Sequence, residues 1–470
     1  MSPCGALSRR IRWRPRPRER DARRVSAAVC KAASPRPPLT RPRVCWRIFL
    51  FLFVFGMVAY FQARSIPIAS VQMMPQLGLS QVQIGWLETA LIIGYTALQF
   101  PGGVLGQRLG ARAMFVVIGL IAFGATVATP LLPLVLTGTA LFGALLLAQL
   151  LLGAAQGPIF PVSAGVFAAW FVPEKWALVQ GVQSMGLQLG AALAAPLIAL
   201  LMTAFDWQRA LLWTSVPVLA AILWWAYYAR NTPAEHPAVS ERELSELGTG
   251  AQGLAAERLT WRRLAALLSN RDLLVLTISY VCMNYVFYLL ANWCFVYLVQ
   301  ERHFNHIEGG WLAGTPPLAA AFGAGVGGHL AGRLALRFGV RRGLRLVPLL
   351  SLPAAALLQF LTVHAANAYL AVAALAACYF CVEMNEGPYW AAGMHIGRSD
   401  AMAATGILNT GGNLGGIIAT PIVAYLSSQH AWGSVFTLGV AAALVSAVAW
   451  LVVDPERLPA HPRVRSAPSG

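Results

Sequence analysis

Gly102-Gly103-Val104-Leu105-Gly106-Gln107-Arg108-Leu109 returns, altered, as Gly327-Gly328-His329-Leu330-Ala331-Gly332-Arg333-Leu334, an offset of 225 residues (102 to 327). The same offset carries Gly181, Gly186, Leu189, Gly190, Ala194, Pro196 and Ala199 onto Gly406, Gly411, Leu414, Gly415, Ala419, Pro421 and Ala424. Two distant segments sharing one offset mark a duplicated design, a pattern common among two-half membrane proteins. Gly186 and Gly190, Gly411 and Gly415, and Gly412 and Gly416 are each four apart, so each pair shares a helix face. Small residues at that spacing let backbones approach closely. In a two-half protein they are expected on helices that rock against one another.

The surroundings of the repeats are apolar. Of 470 residues, 57% are hydrophobic and only 11% charged, with a mean hydropathy of +0.61. Soluble domains carry about 25% charged residues, so lipid is the simplest setting for this composition. A span needs roughly 20 apolar residues. Apolar blocks fall at about 46–68, 82–106, 113–134, 139–161, 177–204 and 208–229, then at 273–299, 310–334, 344–364, 368–395, 402–427 and 432–453. The fold expected is an all-α membrane protein with twelve transmembrane helices in two pseudo-symmetric six-helix bundles. The division is a disordered basic tail (1–45), a first bundle (46–230), a Glu-rich linker (231–270), a second bundle (271–454) and a C-terminal tail (455–470).

The net charge of +17 sits mostly at one end, because residues 1–47 hold 14 Lys/Arg against 2 acids. An Arg/Pro-rich tail of this kind cannot bury a core. It reads as a positive-inside anchor or an over-extended start, and it lacks the apolar stretch of a secretory signal. A nucleic-acid partner is not expected. With the tail inside, Arg108, Arg112, Lys175, Arg333, Arg337, Arg341 and Arg342 fall in inner loops, whereas the outer loops at 69–81, 135–138, 365–367 and 428–431 carry no Lys or Arg. That asymmetry places both termini in the cytoplasm. A multi-pass plasma-membrane location follows, the inner membrane in a bacterium.

The seven cysteines form no spacing framework. Cys378 and Cys381 make a C-x-x-C inside an apolar helix with no partner pair, which reads as core packing. His303 and His306 are a weak metal signal. No Gly-rich phosphate loop, ligand cluster or Ser/His/Asp set is present, so neither an enzyme, a cofactor, a metal nor ATP-driven transport is expected.

Gly103-x-Leu105-x-Gln107-Arg108-x-Gly110-x-Arg112 resembles the loop between helices 2 and 3 of the major facilitator superfamily. Gly94-Tyr95-x-x-x-Gln99-x-Pro101-x-Gly103, Gly153-x-x-Gln156-x-Pro158-x-x-Pro161, Ala169-Trp170-Phe171, Gly387-Pro388-Tyr389-Trp390 and Gly406-x-x-Asn409-x-x-Gly412-Asn413-x-Gly415-Gly416 resemble its anion:cation symporter family more narrowly. The resemblance spans about 46–455. It implies a carrier of galactonate, hexuronate, glucarate, phthalate or sialin-type substrates, and it makes Gly103, Gln107, Arg108, Gly110 and Arg112 a gating loop. The sequence also departs from that family. The family has Asp where Gln107 and Gly332 stand. It has an Asp-Arg pair where Gln62 and Ala63 align, and an Arg and a Glu where Gln149 and Gln156 stand. Its proton-coupling carboxylates are thus amides here.

Charge inside a span is costly and marks function by default. Arg64, late in helix 1, reads either as a bidentate anchor for a substrate anion or as a side chain snorkelling to the interface. Tyr379, Glu383, Glu386 and Trp390 share one face of helix 10. Gln156-Gly157-Pro158 is echoed by Glu386-Gly387-Pro388, so the family's carboxylate stands at the mirror position in the second half. Glu386 is the first candidate for coupling, then Glu383, then Glu88, which shares a face with Tyr95 and Gln99. Polar faces complete a substrate site: Gln149 and Gln156; Gln180, Ser184 and Gln188; Asn284, Tyr288 and Asn292; Trp390; Asn409 and Asn413. Amides and phenols there hydrogen-bond a solute without the cost of burying charge. The expectation is a monomeric secondary carrier of a small organic solute, favouring a carboxylate, driven by protons or Na+ through alternating access. Efflux of an amphipathic cation is the alternative, and a non-transporting receptor a distant third.

Overall fold

The computed structural model describes residues 44–241, 243–245, 259–304 and 312–457. Nearly all of the basic tail, part of the linker and His306 lie outside them. Ten stretches of the described residues are long and apolar enough to cross a membrane. One of these, Ala368–Ser428, reverses at Arg398–Asp400 and so contains two spans. The glycine- and arginine-bearing Thr315–Phe338 completes twelve.

The first half holds α1 (Val44–Leu77), α2 (Gln81–Leu109), α3 (Ala111–Leu134), α4 (Gly138–Trp170), α5 (Trp176–Ala204) and α6 (Trp207–Tyr228). In the second half are α7 (Arg271–Gln300), α8 (Thr315–Phe338), α9 (Val340–His364), α10 (Ala368–Glu383 with Glu386–Gly397), α11 (Ala401–Ser428) and α12 (Trp432–Val452). A short linker helix, Trp261–Leu268, precedes α7.

Three helices are interrupted, each beside a proline whose missing N–H frees a carbonyl one turn back. In α1 the break falls at Arg64, ahead of Pro67, and Ser65 Oγ donates to the Gln62 carbonyl at 2.6 Å. α4 breaks at Gly157-Pro158 and α10 at Met384-Asn385, just before Gly387-Pro388. The repeat is therefore visible in the backbone. It recurs at the ends of α2 and α8, where Gly110 and Gly339 hold φ of +84° and +83°, a region that favours glycine.

The closest approaches between halves lie between the molecule's middle and the end bearing Gly102–Leu109 and Gly327–Leu334, here the loop end. A methyl group on Gly103 would sit 2.5 Å from the Met402 carbonyl oxygen, and one on Gly181 would sit 2.9 Å from Gly328 Cα. Only glycine allows these contacts. Gln107 Nε2 donates to the Ser399 carbonyl at 2.5 Å. Arg263 of the linker helix pairs with Asp400 at 2.9 Å and also reaches Ser399. The expected rocking faces lie elsewhere. Gly186 and Gly190 pack on Phe53 and Met57 of α1, and Gly411, Gly412, Gly415 and Gly416 on α7. They weld neighbours within a half, because α5 and α11 use their opposite faces to meet the other half.

Candidate functional site

A cavity lies between the halves, beside the breaks in α4 and α10. The first half contributes Tyr60, Tyr95, Phe160, Ser184, Leu187 and Gln188, and the second contributes Tyr280, Asn284, Phe287, Tyr288, Glu383, Glu386, Trp390, Asn409 and Asn413.

Glu386 begins the second segment of α10, where the interrupted helix turns it inward. Tyr280 of α7 donates to its two oxygens at 3.0 and 3.2 Å, and Trp390 Nε1, one turn on, donates at 2.8 Å. Both oxygens are thus held by donors, which is how a buried carboxylate is made tolerable. Glu383 ends the first segment and is 2% exposed. The Gln188 side chain is in reach, and its main electrostatic neighbour is Glu386. The break itself is held by Asn385, whose Nδ2 donates to the Cys381 and Val382 carbonyls at 2.9 and 3.0 Å while Ser351 Oγ donates to its Oδ1 at 2.9 Å.

Across the cavity, Tyr288 donates to Asn413 Oδ1 at 2.6 Å, and Asn413 Nδ2 donates to Gln99 Oε1 at 2.9 Å, joining the halves. Tyr95 lies beside Tyr60, Gln99 and Asn409. Two buried amide nitrogens, Gln99 Nε2 and Asn409 Nδ2, make no well-formed hydrogen bond. Such groups are costly unless something else satisfies them. Phe160 of α4 and Trp390 of α10 meet at 5.1 Å on the cavity's floor.

Most candidates drawn from the sequence converge on this cavity: Tyr95, Gln99, Asn284, Tyr288, Glu383, Glu386, Trp390, Asn409 and Asn413. Arg64 does not line it but stands at its rim, exposed, where Tyr60, Tyr288, Tyr379 and Glu88 feel its charge. Two of those four belong to the second half, so Arg64 faces the gap between halves. Glu88 is exposed beside it. Three candidates lie away from the cavity. Asn292 is exposed, because one further turn of α7 carries it past the cavity. Gln149 is buried within the first half. Gln156 donates to the Ala59 carbonyl at 2.9 Å in a separate small cavity walled by Phe55, Val58, Ile118 and Val218. Gln62 shares that cavity and donates to Thr126 Oγ1 at 2.8 Å.

In the loop expected to gate, Gly103 and Gln107 meet the second half as described. Arg108 is exposed. Arg112 donates to the Ala226 carbonyl at 2.6 Å, and its N–H donates to Asn231 Oδ1 at 2.9 Å, so it braces the first half instead of bridging. Asn231 also fills the space a side chain on Gly110 would need. The sequence reading missed Tyr60, Phe160, Tyr280 and Phe287. Tyr280 was one more step of four before Asn284, and Phe160 stands to Gln156 as Trp390 does to Glu386.

Two pseudo-symmetric six-helix halves enclosing a buried polar cavity define a secondary transporter, a multi-pass membrane carrier. The chain belongs to the Major Facilitator Superfamily, whose family model matches residues 48–403 and 331–469. It is 27% identical to a probable sulfoacetate transporter of Cupriavidus necator over 406 residues, covering 85% of this chain and 91% of that protein. It is 24% identical to a probable galactarate/D-glucarate transporter of Bacillus subtilis, covering 84% and 88%. Its fold matches the crystal structure of the superfamily transporter FucP in the outward conformation, with a TM-score of 0.69 at 14% identity, covering 88% of this chain and 100% of that one.

Proposed function

We propose that this chain carries a small organic acid across the plasma membrane as a monomer, by alternating access around the central cavity. The observation that carries this reading is a polar cavity lined by residues of both halves, with the halves in close contact on its loop side at Gly103 and Met402 and at Gly181 and Gly328. In this reading the basic loops mark that end as cytoplasmic, and the cavity is closed toward it. The relatives named for sulfoacetate and for galactarate/D-glucarate support an acid as solute, and Arg64 at the mouth supplies the positive charge that would meet it first. Residues 46–230 and 271–454 act as the rocking halves, with 231–270 as their cytoplasmic tether.

Coupling runs through the carboxylate pair. Gln62 and Gln156 cannot exchange protons, and Glu88 is exposed at the rim, which leaves the buried carboxylates of the second half to do so. Glu386 releases and takes up the proton, with Glu383 as its neighbour across the break. The test is uptake of sulfoacetate, galactarate and D-glucarate into proteoliposomes under an imposed pH gradient, an imposed Na+ gradient, or neither. Accumulation only under the pH gradient supports the reading. Accumulation under the Na+ gradient alone replaces the proton with Na+, and no uptake of any acid rejects the reading.

A further inference from the structure

The central cavity has an unbalanced charge. Glu383 and Glu386 line it, while no Lys, Arg or His does among the described residues. Seven aromatic rings share the lining around them, among them Tyr60, Tyr95, Phe287 and Tyr288. The two carboxylates differ in what holds them. Both oxygens of Glu386 are taken by Tyr280 and Trp390. Glu383 has the Gln188 amide in reach and a like charge, Glu386, as its main electrostatic neighbour. A fully ionic acid such as a dicarboxylate, placed here, would face repulsion from whichever of the pair is ionised.

We infer that the solute is a zwitterion, an organic acid that also bears an ammonium group, with the ammonium held by Glu383 among the aromatic rings. This inference rests on the organic-acid reading above and specifies its substrate class. Ammonium is the group that a buried carboxylate and π-faces recognise together. The acid end then has donors to meet. Asn409 Nδ2 in the cavity lining and Gln99 Nε2 make no well-formed hydrogen bond, with the Tyr95 hydroxyl their nearest polar neighbour. An amide N–H is a donor only, so these positions fit the oxygens of a carboxylate, sulfonate or hydroxyl. Tyr379 feels the charge of both Arg64 and Glu383. The two ends of the solute thus have distinct chemical partners within one cavity.

The test uses matched twins differing only in nitrogen: 2-aminoethanesulfonate against 2-hydroxyethanesulfonate, and 2-amino-2-deoxygluconate against gluconate. Binding to the full-length purified protein is measured by calorimetry, for the wild type, Glu383→Gln and Glu383→Asp, with choline as a cation lacking an acid. The amino twin is expected to bind roughly tenfold more tightly than its hydroxy twin in the wild type, the scale of one desolvated cation contact. Glu383→Gln should erase that preference, and Glu383→Asp should retain part of it, which separates lost recognition from lost folding. Equal or tighter binding of a hydroxy twin to the wild type overturns the inference and leaves the organic-acid reading standing. A preference that survives in Glu383→Gln also overturns it. Binding of choline alone, with neither twin bound, rejects both.

Discussion

Helices α4 and α10 break alike and use the break differently. Each is interrupted beside a Gly-Pro pair, Gly157-Pro158 and Gly387-Pro388, and each sends an aromatic ring, Phe160 or Trp390, to the contact between halves. In α4 the residue before the pair is Gln156, tied to a backbone carbonyl inside its own half. In α10 it is Glu386, turned into the cavity between halves. Duplication has preserved the backbone device while the chemistry has moved to one side. Within the cavity lining the first half is a wall of amides, hydroxyls and rings, and the second carries the carboxylates.

The sharpest way to break this comparison is to remove that charge. Glu386→Gln keeps the shape and imitates the protonated acid permanently. It should abolish accumulation above equilibration under a pH gradient while sparing counterflow, since exchange needs no net proton release. Vesicle uptake with and without the gradient, alongside counterflow, reads both. A variant with full gradient response would make Glu386 structural and the mirror argument wrong.

The converse change asks whether position or surroundings matters. Gln156→Glu puts a carboxylate among Phe55, Val58, Ile118 and Val218, with Gln62 as its polar neighbour. An uncompensated buried charge costs about 3–5 kcal/mol, so the variant should lose most of its thermal stability in detergent. Combining it with Glu386→Gln should not restore coupling. If the double variant accumulates solute, the halves are interchangeable and the contrast between α4 and α10 fails.

A smaller effect is expected at the neighbouring position. Asn385 holds the carbonyls that the α10 break sets free, and the position one before Gln156 is Ala155, which has no side chain to do so. Asn385→Ala should cost about 1–3 kcal/mol, the penalty for leaving buried acceptors unmade. Unchanged denaturation would show that the α10 break needs no more support than the α4 break.

How much of this was legible depends on what writes each feature into the chain. Twelve spans, two halves and the echo of Gln156-Gly157-Pro158 in Glu386-Gly387-Pro388 are visible because hydropathy, the repeat of Gly103 and Gly328, and the Gly-Pro pairs are local signals, while the helix breaks beside those pairs went unread. Glu383, Glu386, Asn409 and Asn413 stand out because a helix in lipid keeps charge, or amides at steps of four, only where a cavity or a polar partner receives them. Asn292 went wrong by one turn, because periodicity assigns a face but not the depth at which a cavity ends. Gln149 and Gln156 were misplaced because polar residues on a helix can point into their own bundle as well as between bundles. Tyr60, Phe160 and Phe287 were missed because an aromatic residue in an apolar helix looks the same whether it lines a cavity or fills a core.

The smallest expected effect is also the one that tests the quiet half. Gln62 occupies the position where the family resemblance places a coupling carboxylate, yet it is 2% exposed and spends its Nε2 on Thr126 at 2.8 Å. Thr126 Oγ1 also donates to the Ala122 carbonyl at 2.8 Å, so its proton keeps a partner whatever stands at 62. Gln62→Met conserves length and removes a single neutral hydrogen bond, worth about 1 kcal/mol. Transport should keep its full response to the pH gradient, with at most a small fall in melting temperature, because neither Gln62 nor its partner exchanges a proton. The same vesicle assay decides the matter alongside a thermal melt. Loss of gradient response in a variant that melts like the wild type would put the first half back on the proton's path, through a water chain or through Thr126. The division of labour between α4 and α10 would then be one of residue type only, not of function.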